Sequence, residues 1–340
     1  MAEPGDWAAP STYQPTPSAW PTDGNSVLEP QLSLKPALRL QASMSLAEAG
    51  REVMSYHFGR LLANEAGTII GSDPEALHDM RVATRRLRAA MRVFQDGFDR
   101  VTLGALAEEV SWLAGMLGRV RDLDVFLIWL AEYKAGSDSE RAGVDLATAA
   151  VGAARARERE ELLAALRSER YAQFKRSFIS ILQPAQLPVG DPGESQPSTD
   201  GGGQALSNFA TRTICRQLRI VRKRARRANA NDLERLHRLR IAAKRLRYAC
   251  EFFVNLFPNR LQELIDVLVQ VQDTLGGMRD AHLQRQLVRD LVTAGSLDRK
   301  SQRGLARLRR ALRQRERHQY QAFVALRPSV LKCKAASIES

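Results

Sequence analysis

The residues of this 340-residue chain that are best suited to chemistry are cations and histidines that recur along two short segments. The segments are residues 76–94, ALHDMRVATRRLRAAMRVF, and residues 235–253, RLHRLRIAAKRLRYACEFF. A helix advances by about 100° per residue, so each segment gathers its cations on one side. The first stripe contains His78, Arg81, Arg85, Arg88 and Arg92, and the second contains His237, Arg240, Lys244 and Arg247. Arg86 and Arg245 flank the two stripes.

These stripes favour a bound anion over a solvated surface. Neither contains an acidic residue, and like charges three or four positions apart destabilise a helix. A solvated face would usually mix the two signs. Arginine dominates over lysine, which suits forked hydrogen bonding to phosphate or carboxylate oxygens. The spacing gives a line of sites, so an extended polyanion fits better than a small molecule. The predicted anchoring faces opposite the stripes are apolar: Met80, Leu87, Ala90, Met91 and Phe94, then Leu239, Leu246, Ala249, Cys250 and Phe253.

His78 and His237 occupy equivalent positions in the two segments. Their cationic neighbours would repel a divalent ion, and no carboxylate or thiolate on the stripes completes a metal site. A hydrogen bond to a phosphate oxygen and a buried orienting role between helices both remain open. Nucleotide-binding, zinc-protease and serine-hydrolase motifs are missing from the sequence. We therefore expect no enzyme activity, no cofactor and no metal.

The two segments belong to an internal repeat. Residues 77–94 match residues 236–253 at nine of eighteen positions with an offset of 159. Further along, LGRVRD (residues 117–122) corresponds to LGGMRD (275–280) at an offset of 158. We interpret both Arg-Asp pairs as helix starts, and Ser72 and Asn231 as N-caps of the two stripe helices. The repeat predicts an all-α protein of two similar helical bundles that face each other, with about four helices each.

Composition sets the predicted boundaries. Residues 1–44 are rich in proline and predict a disordered tail, which could dock a protein partner through Trp7 and Trp20. The first repeat covers residues 45–182, a Pro-, Gly- and Ser-rich linker covers 183–205, and the second repeat covers 206–327. Residues 328–340 form the predicted C-terminal tail.

Charge is distributed unevenly. The formal net charge is +13 at pH 7, which favours a polyanionic partner. Residues 45–182 carry 19 basic and 20 acidic side chains, whereas residues 206–330 carry 28 and 10. Within the second half, cations at helical spacing are second-rank ligand candidates, with solvation as the alternative: Arg216, Arg219, Lys223 and Arg226.

The predicted compartment is the cytoplasm. The three cysteines, Cys215, Cys250 and Cys333, form no C-x-x-C pair, which is typical of a reducing compartment. No apolar run is long enough for a membrane span, and no signal-peptide pattern is present.

The sequences LHDMRVATRRLR, LGRVRDLDV and LHRLRIAAKRLRY resemble the CHAD family, the conserved histidine α-helical domain, over about residues 45–327. The resemblance implies two four-helix bundles related by a pseudo-two-fold axis, with a basic channel between them that binds inorganic polyphosphate. By position it assigns ligand roles to His78, Arg81, Arg85, Arg86, Arg88, His237, Arg240, Lys244, Arg245 and Arg247. The E-x-E-x-K motif of a fused triphosphatase is missing, which implies a non-catalytic binder that brings polyphosphate, or granules containing it, to other components. Nucleic-acid binding is the alternative, although only Tyr248 lies near a stripe to stack on bases.

Overall fold

The computed structural model describes residues 38–183, 202–230, 232–293 and 297–333, and every regular element among them is a helix. The prediction of an all-α fold is confirmed. Six helices precede the linker: α1 (Leu46–Ala63), α2 (Glu65–Ile70), α3 (Pro74–Val93), α4 (Arg100–Glu132), α5 (Asp138–Leu166) and α6 (Glu169–Leu182). Four follow it: α7 (Gly202–Arg226), α8 (Leu233–Phe253), α9 (Gln262–Thr293) and α10 (Arg299–Lys332).

The predicted boundaries differ from the observed helices at several points. Helix α7 begins at Gly202, inside the predicted linker of residues 183–205. Helix α10 continues through Pro328 to Lys332, so it extends beyond the predicted limit at residue 327. Residues 1–37 of the predicted N-terminal tail and most of the linker lie outside the described residues, whereas residues 38–44 are described and Leu40 among them is buried.

The stripe helices α3 and α8 begin one residue later than the sequence predicts. Asp73 is the N-cap of α3, where its side chain accepts a hydrogen bond from the Glu75 backbone N–H at 2.9 Å. Asp232 caps α8 in the same way through Arg235 N–H. The N-cap prediction for Ser72 is therefore wrong, because Pro74 at the first helical position is preceded by a better acceptor. Asn231 lies outside the described residues.

The helices of the two halves pack in the same order. In the first half, α3 packs on α1 and α4, and α4 packs on α5. In the second half, α8 packs on α7 and α9, and α9 packs on α10. Helices α3 and α8 therefore hold corresponding places in the two halves. Among the described residues the first half also contains the short α2 and α6, which exceeds the predicted four helices.

Positions that the repeat makes equivalent contact each other where the halves meet. The rings of Phe94 and Phe253 have centroids 5.6 Å apart. Gly143 of α5 and Gly304 of α10 also touch, and both glycines lie six residues beyond their helix N-caps, Ser137 and Asp298. Contacts between equivalent positions are what a two-fold relation produces. The duplication and the pseudo-two-fold axis stay predictions from the sequence.

The apolar faces of α3 and α8 anchor the stripes as expected. All ten side chains predicted to lie opposite the two stripes are buried. Burial of such a face supplies most of the free energy that holds an amphipathic helix in place. The stripes are therefore fixed by the core behind them and can carry repelling charges.

Candidate functional site

A cleft of about 760 Å³ contains cations from both stripes. Helix α3 contributes His78, Arg81 and Arg85, and helix α8 contributes Arg240. The other lining side chains come mainly from α4 and α9, the helices that flank the stripe helices. The cleft therefore draws on both halves of the chain, and the stripes meet in it.

The Arg-Asp pairs of the repeat lie within α4 and α9, and Arg121, Asp122 and Asp280 of these pairs line the cleft. The prediction that they begin helices is wrong. Arg81 donates a hydrogen bond to Asp122 at 3.1 Å. Burial raises the pKa of Asp280, nearby Asp122 raises it further, and Arg240 opposes the increase. Each stripe thus has an aspartate from the neighbouring helix beside its first arginine.

A glycine lies beside each of these arginines. A methyl group on Gly118 would lie 3.8 Å from Nε of Arg81, and one on Gly276 would lie 3.7 Å from Nε of Arg240. The glycine in each LG-x-x-RD sequence is thus placed next to a guanidinium, one turn before the aspartate. The motif positions an arginine rather than starting a helix.

Both predicted histidines lie beside a second arginine. Arg279 donates to Nδ1 of His237 at 2.6 Å, and an arginine can only donate, so this nitrogen is unprotonated. Burial, followed by the charges of Arg279 and Arg240, lowers the pKa of His237. The pKa of His78 is lowered by burial and then by Arg121, and its Nδ1 is buried without a partner. The two histidines are therefore neutral near pH 7.

Lys244 is the most perturbed cation of the second stripe. Its pKa falls to about 6 because it is buried and faces Arg240, Arg85 and Arg81. The amine is held close to three guanidiniums in a partly desolvated position. At neutral pH the Lys244 amine is therefore uncharged in most molecules of the protein.

Several guanidiniums of the stripes have unmet hydrogen-bonding capacity. The buried Nε atoms of Arg85, Arg86 and Arg240 have no hydrogen-bond partner in the described structure, and that of Arg247 has only an ion-pair contact of 3.3 Å with Glu251. A buried donor left unpaired costs about 1 to 3 kcal/mol. These atoms come from both stripe helices.

The remaining predicted residues lie around the cleft or away from it. Arg88 and Arg92 line a separate groove of about 310 Å³ beside α4. Arg245 is near Arg92 and helps to lower the pKa of that arginine, after burial. Arg86 and Arg247 both pair with Glu251, at 3.0 and 3.3 Å.

The second-rank candidates on α7 do not line the cleft. All four are exposed: Arg216, Arg219, Lys223 and Arg226. Lys223 lines another groove, of about 710 Å³, with arginines of α7 and α8. The structure thus separates the α7 cations from the two stripes.

Three contributors to the site escaped the sequence interpretation. Arg315 of α10 lines the cleft, and Glu158 of α5 lines it from the opposite half. Glu251 pairs with a stripe of each half. A signal for Glu251 was present, since it occupies the position equivalent to Arg92 at the offset of 159.

Within the described residues, no group of three or more His, Cys, Asp or Glu side chains could hold a metal ion. No helix in the described ranges is long and apolar enough to cross a membrane. Cys215, Cys250 and Cys333 form no disulfide bond with one another.

Residues 52–289 match the CHAD domain family. This span is more than half of the chain, so the chain belongs to that family. The crystal structure of the CHAD domain from the plant Ricinus communis superposes with a TM-score of 0.70 at 26% identity, covering 88% of this chain and 96% of that one. PptA from Streptomyces chartreusis shares the fold, with a TM-score of 0.58 at 17% identity over 83% of this chain and 97% of its own.

Two proteins from Mycobacterium tuberculosis are similar to this chain in sequence. The uncharacterized proteins MT2285 and Rv2226, from the strains CDC 1551 / Oshkosh and H37Rv, are each 29% identical to this chain over 182 residues. The match covers 51% of this chain and 33% of each relative. The chain thus spans about a third of the length of these relatives.

Proposed function

We propose that this protein binds inorganic polyphosphate, without catalysis, through the cleft between the two stripes. The basic channel that the family resemblance implies would correspond to this cleft. The observation that carries the proposal is that Arg85 of α3 and Arg240 of α8 both line the cleft and have buried guanidinium Nε atoms without a hydrogen-bond partner. A chain of phosphates would accept hydrogen bonds from these donors and offset the repulsion among the cations.

The geometry of the site supports an extended phosphate chain over a nucleic acid. Single-strand binders place exposed aromatic rings among their cations for base stacking. Tyr248, the aromatic residue near the stripes, is only 2% exposed, and the guanidiniums of Arg86 and Arg247 lie over its ring at 6.0 and 5.3 Å. Its ring therefore contacts these two guanidiniums and offers no free face on which a base could stack.

The absence of catalysis is part of the proposal. Two of the carboxylates that line the cleft, Asp122 and Asp280, each lie beside an arginine. Such pairing neutralises a carboxylate and fixes the arginine, which suits a binding role. Incubation with polyphosphate and Mg²⁺ or Mn²⁺ should release no phosphate. Release that a substitution of Asp122 abolishes would show an active site.

A competition experiment tests the binding. The full chain is titrated with fluorescently labelled long-chain polyphosphate, and unlabelled single-stranded DNA of matched charge then competes. We expect polyphosphate to bind more tightly, with an affinity that falls steeply with salt as counterions are released. Equal or tighter binding of DNA would contradict the proposal in favour of the nucleic-acid alternative.

An equivalent experiment in cells addresses the wider role. If the protein brings polyphosphate granules to other components, a fluorescent fusion should co-localise with granules. An Arg85→Ala, Arg240→Ala double variant should lose this localisation. A fusion that stays diffuse in granule-containing cells would contradict the targeting role while leaving the binding proposal to the competition experiment.

A further inference from the structure

Two flanks of the stripe contact correspond to each other under the repeat, but they differ in charge. We call Arg86, Arg247 and Glu251 the Glu251 flank. Their equivalents at the offset of 159, which are Arg245, Arg88 and Arg92, are called the Arg92 flank. The first contains two cations and one acid. The second contains three cations.

The Glu251 flank is neutralised in part by its own carboxylate. Glu251 accepts a hydrogen bond from Arg86 of the other half at 3.0 Å, and its second oxygen lies 3.3 Å from Nε of Arg247. One carboxylate therefore uses both its oxygens on the two arginines of this flank. A phosphate chain that passed here would have to displace or repel that carboxylate.

The Arg92 flank has no such acid. None of Arg88, Arg92 and Arg245 forms an ion pair with any described residue. Burial lowers the pKa of Arg92, and the charges of Arg245 and Arg88 lower it further. Arg245 and Arg88 are thus close enough to Arg92 to repel its guanidinium.

A groove continues from this flank. Arg88 and Arg92 line it together with Arg100, Gln95 and Ser111. At about 1.5 Å per residue, Arg92 lies about 10 Å further along α3 than Arg85, which lines the central cleft. The line of cations on α3 therefore runs from Arg85 in the cleft past Arg88 to Arg92 in the separate groove, which has room for further phosphates.

We propose that the Arg92 flank and its groove form a second anion subsite, through which a long polyphosphate chain leaves the central cleft in one direction only. This inference rests on the proposed function and adds to it a preference for long chains. Glu251 closes the equivalent route in the other direction. A short anion such as tripolyphosphate would occupy only the central cleft and would not reach Arg92.

The reciprocal variants Arg92→Glu and Glu251→Arg test this subsite. Each gives one flank the charge pattern of the other. Lys134→Glu, an exposed charge reversal in the loop after α4, is the control for net charge. Affinity is measured for long-chain polyphosphate and for tripolyphosphate across a range of salt concentrations, after circular dichroism has shown that each variant is folded.

We expect Arg92→Glu to weaken long-chain binding about tenfold relative to Lys134→Glu and to reduce the slope of log affinity against log salt by about 1, as for one lost phosphate contact. Tripolyphosphate binding should match that of the control. Glu251→Arg, if folded, should strengthen long-chain binding and steepen the slope; if it does not fold, Arg92→Glu decides alone.

Two results would contradict the proposed subsite, and they can be distinguished from each other. If Arg92→Glu behaves like Lys134→Glu, or weakens both ligands equally, the subsite is refuted while polyphosphate binding in the cleft stands. If the unaltered protein binds neither ligand, the proposed function fails and the subsite fails with it.

Discussion

Arg86 of α3 and Glu251 of α8 form an ion pair of 3.0 Å that joins the two halves of the protein. The positions equivalent to them under the repeat are Arg245 and Arg92. These two arginines repel each other, and the charge of Arg245 adds to burial in lowering the pKa of Arg92. The same contact between the halves is therefore attractive on one side and repulsive on the other.

This difference predicts opposite effects on stability for one pair of substitutions. Glu251→Gln removes the partner of two partly buried guanidiniums and should lower the free energy of unfolding by about 1 to 3 kcal/mol. Arg92→Gln, its matched variant in the other half, removes a repelling charge and should leave stability unchanged or raised. Urea unfolding followed by circular dichroism measures both. Similar losses in the two variants would show that charge at these positions does not decide stability.

Arg85 distinguishes forked hydrogen bonding from simple charge attraction. Its side chain lines the cleft, and its Nε is buried without a partner. Arg85→Lys keeps the charge but loses the planar fork, so we expect it to weaken polyphosphate binding about tenfold; Arg85→Ala should weaken it further. Isothermal titration calorimetry gives both affinities. If Arg85→Lys bound polyphosphate as tightly as the parent protein, only point-charge attraction would act at this position.

The control for Arg85 is an exposed arginine of α7. Arg226 lies outside the cleft lining, so Arg226→Ala should change affinity less than twofold. A loss comparable with that of Arg85→Ala would place the α7 cations in the binding surface. The second-rank candidates would then be ligands.

The stripes themselves could be predicted because helical periodicity was enough to separate charge from core. Met80 and Leu87, assigned to the anchoring face of α3, are fully buried, as are Leu239 and Leu246 of α8. Each of these assignments depended only on residues within one helix. The CHAD family and the all-α fold also followed from local sequence.

The partners of the stripes could not be predicted in the same way. Asp122 contacts Arg81 across 41 positions, and Glu251 contacts Arg86 across 165. Sequence periodicity does not show which helices pack together. From sequence alone, the Arg-Asp pairs are interpreted as helix starts because acidic residues favour the positive N-terminus of a helix. In the structure both aspartates lie within long helices.

The contact between Gly143 and Gly304 predicts a severe effect of a single methyl group. A methyl group on Gly304 would lie 2.7 Å from the Gly143 nitrogen and closer still to the Ser139 carbonyl oxygen. Because α5 and α10 would have to separate, Gly304→Ala should lower the free energy of unfolding by about 3 kcal/mol or more.

Gly152→Ala is the matched control on α5. A methyl group there would meet nothing within 4 Å, and alanine is the better helix former by up to about 1 kcal/mol. We therefore expect a rise in the melting temperature for Gly152→Ala and a fall for Gly304→Ala. A small effect at Gly304 would mean that α5 and α10 can move apart at little cost.

Lys244 and the two stripe histidines predict that polyphosphate binding takes up protons. In the free protein the pKa of Lys244 is lowered to about 6, from an ordinary 10.5, and the pKa values of His78 and His237 are also lowered. A bound polyanion favours the charged forms and raises all three pKa values. Affinity should therefore increase as pH falls from about 8 towards 6, measured with long chains because phosphate end groups lose charge near pH 6.

The substitution Lys244→Arg separates the lysine from the histidines, since arginine stays protonated throughout this range. This variant should bind polyphosphate more tightly than the parent at pH 8 and show a weaker pH dependence of affinity. The remaining pH dependence should disappear in a variant that adds His78→Gln and His237→Gln.

The stability of the free protein should change with pH in the opposite direction to its affinity. Because the folded pKa of Lys244 lies below the unfolded one, the unfolded state binds more protons between about pH 6 and 10.5, and this lysine makes stability rise with pH across that window. Lys244→Met should remove that contribution, as measured by urea unfolding at pH 7 and pH 9. A parent affinity that is constant from pH 8 to pH 6 would show that none of the three groups changes its protonation on binding.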